Sequence, residues 1–133
     1  MKRLPSIVVF LVGVWAGHAL IPTAAAQFRS TKSERLLSTD LSGWCDGKEV
    51  TVELNDAGTG TSGKHYHPAH SFTYVLDGTE TYALDGQQPR TVHAGELLYE
   101  PPMRLHTVDN TSPVKLLVIR VAEKGKQATV RVP

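Results

Sequence analysis

From position 50 onward, short runs rich in Val, Leu, Tyr and Thr alternate with Gly, Pro, Asp and Asn. That rhythm predicts many short β-strands. The runs fall at residues 50–54, 72–76, 80–84, 97–99, 106–108, 114–121 and 128–132. No window places apolar residues at helical spacing. Asp77-Gly78 separates two apolar-aromatic runs and predicts a hairpin between them. Asp85-Gly86 ends the next run in the same way. Pro101-Pro102 forbids regular strand pairing and predicts a rigid loop. The run 114–119 is apolar on both faces apart from Lys115, so it should be a central strand or one covered by a second subunit. Short strands at this spacing predict an all-β sandwich or barrel.

The first 26 positions have a different pattern. Lys2 and Arg3 precede an apolar run at 7–20 that is broken by glycines and His18, and Ala24-Ala25-Ala26 follows. This is the layout of a secretory signal peptide cleaved after Ala26. A membrane anchor is the competing reading, but the run is shorter than the roughly 20 residues a spanning helix needs. Either reading places the domain outside the cytoplasm, secreted or periplasmic. The expected organisation is a signal peptide at 1–26, an N-terminal arm and first strand at 27–45, and a barrel domain at 46–133.

Without the signal, 107 residues remain, enough for one modest core. Their 12 basic and 13 acidic residues nearly balance. No basic patch or stripe appears, so nucleic acid is not an expected partner. Near-neutrality gives no case for stable membrane association after cleavage. Cys45 is the single cysteine, so no internal disulfide can form, and the core must be self-sufficient or helped by a metal or a second subunit.

Five histidines remain: His65, His67, His70, His93 and His106. Residues two apart on a strand point to one face, so His65 and His67 can direct two imidazoles at one point. Neutral imidazole suits Fe, Mn, Ni, Zn and Cu to different degrees. A third ligand must come from another strand, and His106, just after the Pro101-Pro102 loop, is the best candidate. A His-x-His pair alone also occurs on exposed strands, and as hydrogen-bonded residues inside barrels.

The surroundings of these histidines carry a family resemblance. The stretch from Gly60 through His65-Tyr66-His67, Ser71 and Gly78 resembles the first motif of the cupin superfamily. The stretch from Gly95 through Pro101, Met103, His106 and Asn110 resembles the second. The resemblance implies a single-domain, jelly-roll-like β-barrel, commonly a homodimer, with a divalent metal (Fe, Mn, Ni or Zn) held by His65, His67 and His106. Two positions depart from the motifs. Ser71 stands where the family carries a glutamate ligand, and Met103 stands where it carries a glycine. A hydroxyl in place of a carboxylate leaves three neutral ligands and open coordination positions, an arrangement that supports catalysis in His₃ zinc sites. His70, returned towards the site by a turn at Pro68, is one candidate substitute for the carboxylate. Glu100 and Glu80 are weaker ones.

Tyr74, Tyr82 and Tyr99 could line a substrate pocket or simply fill space, and Met103 is expected to narrow the barrel mouth. No nucleophile elbow or phosphate loop is present. Three functions remain open. One is a metal-dependent enzyme acting on a small molecule, with oxygenase-type chemistry favoured. Another is a non-catalytic module binding a small ligand or a metal. The last is a barrel that serves only assembly.

Overall fold

A computed structural model describes residues 32–133. The expected signal peptide at 1–26 and the start of the arm lie outside the described residues. The described chain is built of strands, with one short 3₁₀ turn at Gly43–Cys45. The strands are β1 (Lys32–Asp40), β2 (Lys48–Ala57), β3 (Gly60–Thr61), β4 (His65–Tyr66), β5 (Ala69–Asp77), β6 (Thr79–Leu84), β7 (Arg90–His93), β8 (Leu97–Glu100), β9 (His106–Asn110), β10 (Val114–Glu123) and β11 (Val130–Arg131). They form two antiparallel sheets. One has the order β1-β2-β10-β5-β8; the other has β11-β4-β9-β6-β7, with β3 also paired to β9.

The period of two decides what each strand places between the sheets. Along β5, Ala69, Ser71, Thr73 and Val75 are buried, while His70, Phe72, Tyr74 and Leu76 alternate with them towards the outside. Along β8, Leu98 and Glu100 are buried, and Leu97 and Tyr99 face out. Strand β10 buries Val114, Leu116 and Val118. It lies between β2 and β5, the central position that its two apolar faces predict. The apolar core joins these residues to Val75, Tyr82, Leu84, Val92, Leu98 and Val108. Beside it, the interior also holds Ser62, His65, His67, Ser71, Thr73, Glu80, Glu100, His106 and Asn110, all buried. So many buried polar groups need partners, a ligand or an ion.

The hairpin expected at Asp77-Gly78 does not form. β5 pairs with β10 and β8, whereas β6 pairs with β9 and β7. The chain changes sheets at Gly78, and its two alternating runs face each other across the core instead of sharing an edge. Gly78 has φ +86°, and a Cβ there would stand 2.8 Å from the Pro113 carbonyl oxygen. Only glycine fits both constraints. The Asp85-Gly86 turn does close a true hairpin, since β6 and β7 pair from Thr79↔His93 to Tyr82↔Arg90.

Gly78→Ala should therefore lower stability by more than about 1 kcal/mol. For a domain of this size that shifts the melting midpoint down by roughly 4–8 °C per kcal/mol. An unchanged thermal midpoint would contradict this account of the sheet-changing corner.

Candidate metal centre

Three segments meet to build the polar end of the interior. His65 lies on β4 and pairs directly with His106, the first residue of β9. His67 follows β4, and its carbonyl accepts the Met103 N–H at 2.9 Å. That bond ties the Pro101-Pro102 loop to the segment carrying the first two histidines. The imidazole rings stand 4.3 Å (His65–His106), 5.0 Å (His65–His67) and 5.1 Å (His67–His106) apart. One nitrogen from each ring lies within 4.8 Å of the other two. The three residues can hold a metal ion.

Hydrogen bonding selects which nitrogen is offered. Each Nδ1 sits against a backbone carbonyl: Gly63 at 3.0 Å for His65, Ala128 at 2.8 Å for His67 and Arg104 at 2.9 Å for His106. A carbonyl can only accept, so Nδ1 carries the proton and Nε2 keeps its lone pair. The buried Nε2 of His106 has no hydrogen-bond partner. Metal-binding histidines are commonly fixed in this way, with the second nitrogen donating to a carbonyl. Burial also lowers the pKa of all three imidazoles, that of His67 to about 3. They are neutral at neutral pH, the form a metal requires. By donor type, tautomer and charge, these residues fit a divalent ion.

Glu100 stands beside two of the histidines. Its Oε1 is 3.5 Å from His106 Nε2 and its Oε2 is 3.8 Å from His67 Nε2. These distances would permit ion pairs, but burial keeps the imidazoles neutral, and burial likewise raises the Glu100 carboxyl. In the metal-free protein the contact is not an ion pair. Ser71 lies directly across the strand pair from Glu100. It is fully buried, and its Oγ has no hydrogen-bond partner.

A cavity of about 200 Å³ adjoins the histidines, with Thr73, Glu80, Glu100, Asn55, Asn110 and Arg120 on its walls. Arg120 Nη1 donates to Glu53 at 2.7 Å, while Arg120 Nε and the side-chain oxygens of Asn55 and Asn110 are buried without partners.

Several expected site residues lie elsewhere. His70 is exposed on the outer face, where its Nδ1 and the Tyr99 hydroxyl share a 2.7 Å hydrogen bond. It cannot take the place of a carboxylate at the centre, because β5 runs regularly through Pro68's successor Ala69 and sends Ser71 inward instead. Tyr74 and Tyr99 are partly exposed on that outer face, since the inward positions beside them belong to Thr73, Val75, Leu98 and Glu100. Neither lines the cavity. Met103 does not line the cavity beside the histidines. It is 61% exposed and lines an outer groove with Trp44, Tyr66 and Pro68. Its φ of +61° is the left-handed conformation that glycine adopts without penalty. Tyr82 is the inward tyrosine, buried 5.0 Å from the His106 ring. Glu100 had only weak support in the sequence, although alternation with Leu98 already puts it indoors. Arg120 continues the inward series 114, 116, 118.

The Cupin domain family model matches residues 51–120, more than half the chain. The chain belongs to the cupin family. No curated protein matches it. Solved structures resemble it at low identity. A cupin superfamily protein from Desulfitobacterium hafniense is 17% identical, with a TM-score of 0.58 over 73% of this chain and 82% of that one. The DMSP lyase DddQ from Ruegeria pomeroyi is 18% identical, with a TM-score of 0.62 over 82% of this chain and 62% of that one. The polyketide cyclase RemF from Streptomyces resistomycificus is 18% identical, with a TM-score of 0.61 over 80% and 75%. At such identities the likeness is one of fold.

Burial pushes the Glu80 carboxyl up to about 7, and the charge of Glu100 adds to the rise. An unfolded chain releases this proton near pH 4.5, and the folded chain keeps it until about pH 7. Stability from this group is therefore lost as pH rises across that window. In the metal-free protein, Glu80→Gln should match the parent near pH 4 and exceed it at pH 8 by on the order of 3 kcal/mol. Denaturant unfolding at both pH values measures this, and a pH-independent difference would refute it.

Proposed function

We propose that this protein is an exported cupin metalloprotein whose His65, His67 and His106 hold a divalent ion for chemistry on a small molecule. The observation that carries the reading is the set of three buried imidazoles with every Nδ1 tied to a carbonyl and one nitrogen of each ring within 4.8 Å of the other two. A redox-active ion such as Fe or Mn would supply dioxygen chemistry there, and Zn or Ni would supply Lewis-acid polarisation. We favour the oxygenase-type reading.

The chain's own residues set the rest. Asn55, Asn110 and Arg120 offer polar atoms to a small polar substrate from the wall of the cavity. The apolar floor of Val108, Leu116 and Val118 limits water around it. Glu80, held protonated up to about pH 7, can give or take a proton within that space. The names of neighbouring folds, a lyase and a cyclase, support an enzyme over a barrel that only binds. Export rests on the signal-like pattern at 1–26.

The same reading includes a homodimer. The outer face of the five-stranded sheet aligns Leu37, Val52, Ile119, Phe72 and Tyr99 across adjacent strands, with Leu54, Leu117, Tyr74 and Leu97 in the next row. A second copy of this chain would cover such a face.

Native mass spectrometry of the untagged chain, loaded separately with Fe, Mn, Ni and Zn, tests both parts. The expected mass is two chains with two metal ions, and His106→Ala should return the metal-free mass. A wild-type chain that retains none of the four ions would refute the centre. A monomer mass at micromolar concentration would refute the pairing.

A further inference from the structure

The three histidines leave one group at the centre unexplained. Glu100 is 4% exposed, and its nearest hydrogen-bonding partner is the Thr73 hydroxyl, a long 3.4 Å away. A carboxylate buried this deeply needs a positive charge or several short hydrogen bonds. Arg120 lowers its pKa from a distance, but the Arg120 guanidinium is bound to Glu53 at 2.7 Å. The basic groups that stand within 4 Å are His67 and His106, and the carbonyl bonds on their Nδ1 atoms orient both with lone pairs, not protons, towards the carboxylate. Two imidazole lone pairs therefore face the Glu100 carboxyl with no short hydrogen bond between them, and a shared cation would bind both sides.

The spacing points the same way. At 3.5 and 3.8 Å, the oxygen-to-nitrogen distances are too long for hydrogen bonds. Two ligands each about 2.1 Å from a tetrahedral ion stand about 3.4 Å apart. We propose that Glu100 is a direct fourth ligand of the metal, supplied by β8 and aimed between the Nε2 atoms of His67 and His106. This rests on the three-histidine reading above. Glu80 is the other buried acid of the cavity. It lies on β6, in the opposite sheet from Glu100, and has no close approach to any of the three imidazoles. Ser71 makes room for Glu100. The two are cross-strand partners facing the same interior, and a second carboxylate at position 71 would meet the first.

Co²⁺ titration followed by visible absorption tests this, because band position and intensity report the ligand set. Wild-type protein should bind one Co²⁺ per chain, and His106→Ala should lose it. Glu100→Gln should weaken binding at least about 100-fold and shift the bands, whereas Glu80→Gln should leave the bands in place. Adding Ser71→Glu to Glu100→Gln should restore at least part of the affinity from the neighbouring strand. If wild-type protein binds Co²⁺ and Glu100→Gln gives the same bands, the ligand assignment is overturned while the histidine site stands, even if affinity falls. If wild-type protein binds no Co²⁺, both fall together. Should Glu100→Gln fail to fold, infrared difference spectra of the wild-type chain decide. Adding Co²⁺ must shift a carboxylate stretch, and its absence overturns the proposal.

Discussion

A buried carboxyl faces the lone pairs of two neutral imidazoles, His67 and His106, and that opposition governs the interior of this barrel. Neutral histidines and the buried acid do not stabilise each other through short hydrogen bonds, because each Nδ1 proton is committed to the backbone and the Glu100 oxygens stand 3.5 and 3.8 Å from the nearest Nε2 atoms. A fold that relied on its apolar core alone would gain by replacing such groups with hydrocarbon. Their retention makes sense if the interior is organised to receive a cation. Stability and function then oppose each other at this end of the barrel, and the apolar cluster around Val75, Val92, Leu98 and Val118 offsets the difference.

The rest of the architecture holds that arrangement in place. Direct pairing of His65 with His106 fixes two ligands through backbone register, which is stiffer than placement on loops. The Met103 N–H bond to the His67 carbonyl fixes the third. Ser71 and Glu100 face the same space from adjacent strands, so the sheet can present a carboxylate from either position without changing its backbone. The sheet change at Gly78 sets β5 and β6 in opposite sheets, with Thr73 and Glu80 both on the walls of the cavity.

Much of this was legible in the residues alone. The runs at 72–76, 80–84 and 114–121, rich in β-branched and aromatic residues and bounded by turn residues, were enough to define strands, and the two apolar faces of 114–119 to make it a central one. His65 and His67 followed from the period of two along a strand, and His106 from its place after the diproline loop. What escaped was pairing. Asp77-Gly78 reads as a hairpin because local turn chemistry does not say whether the next strand joins the same sheet. Tyr74 and Tyr99 read as pocket residues because an aromatic side chain suits either side of a sheet, and only register to Thr73 and Glu100 assigns them outward. His70 was drawn towards the site by chemistry, and the regular course of β5 turns it away. Glu100 was underrated because the residue opposite it, Ser71, is 29 positions distant in the chain.

The most direct measurement is an anomalous difference map from crystals of the chain grown or soaked with Mn, Fe, Ni or Zn and collected at the metal edge. The account predicts one peak inside the barrel, about 2.1 Å from the Nε2 atoms of His65, His67 and His106, with a Glu100 oxygen at a similar distance. A peak coordinated through Nδ1, a peak on the outer face near His70, or metal-saturated crystals with no peak among the three histidines would contradict it.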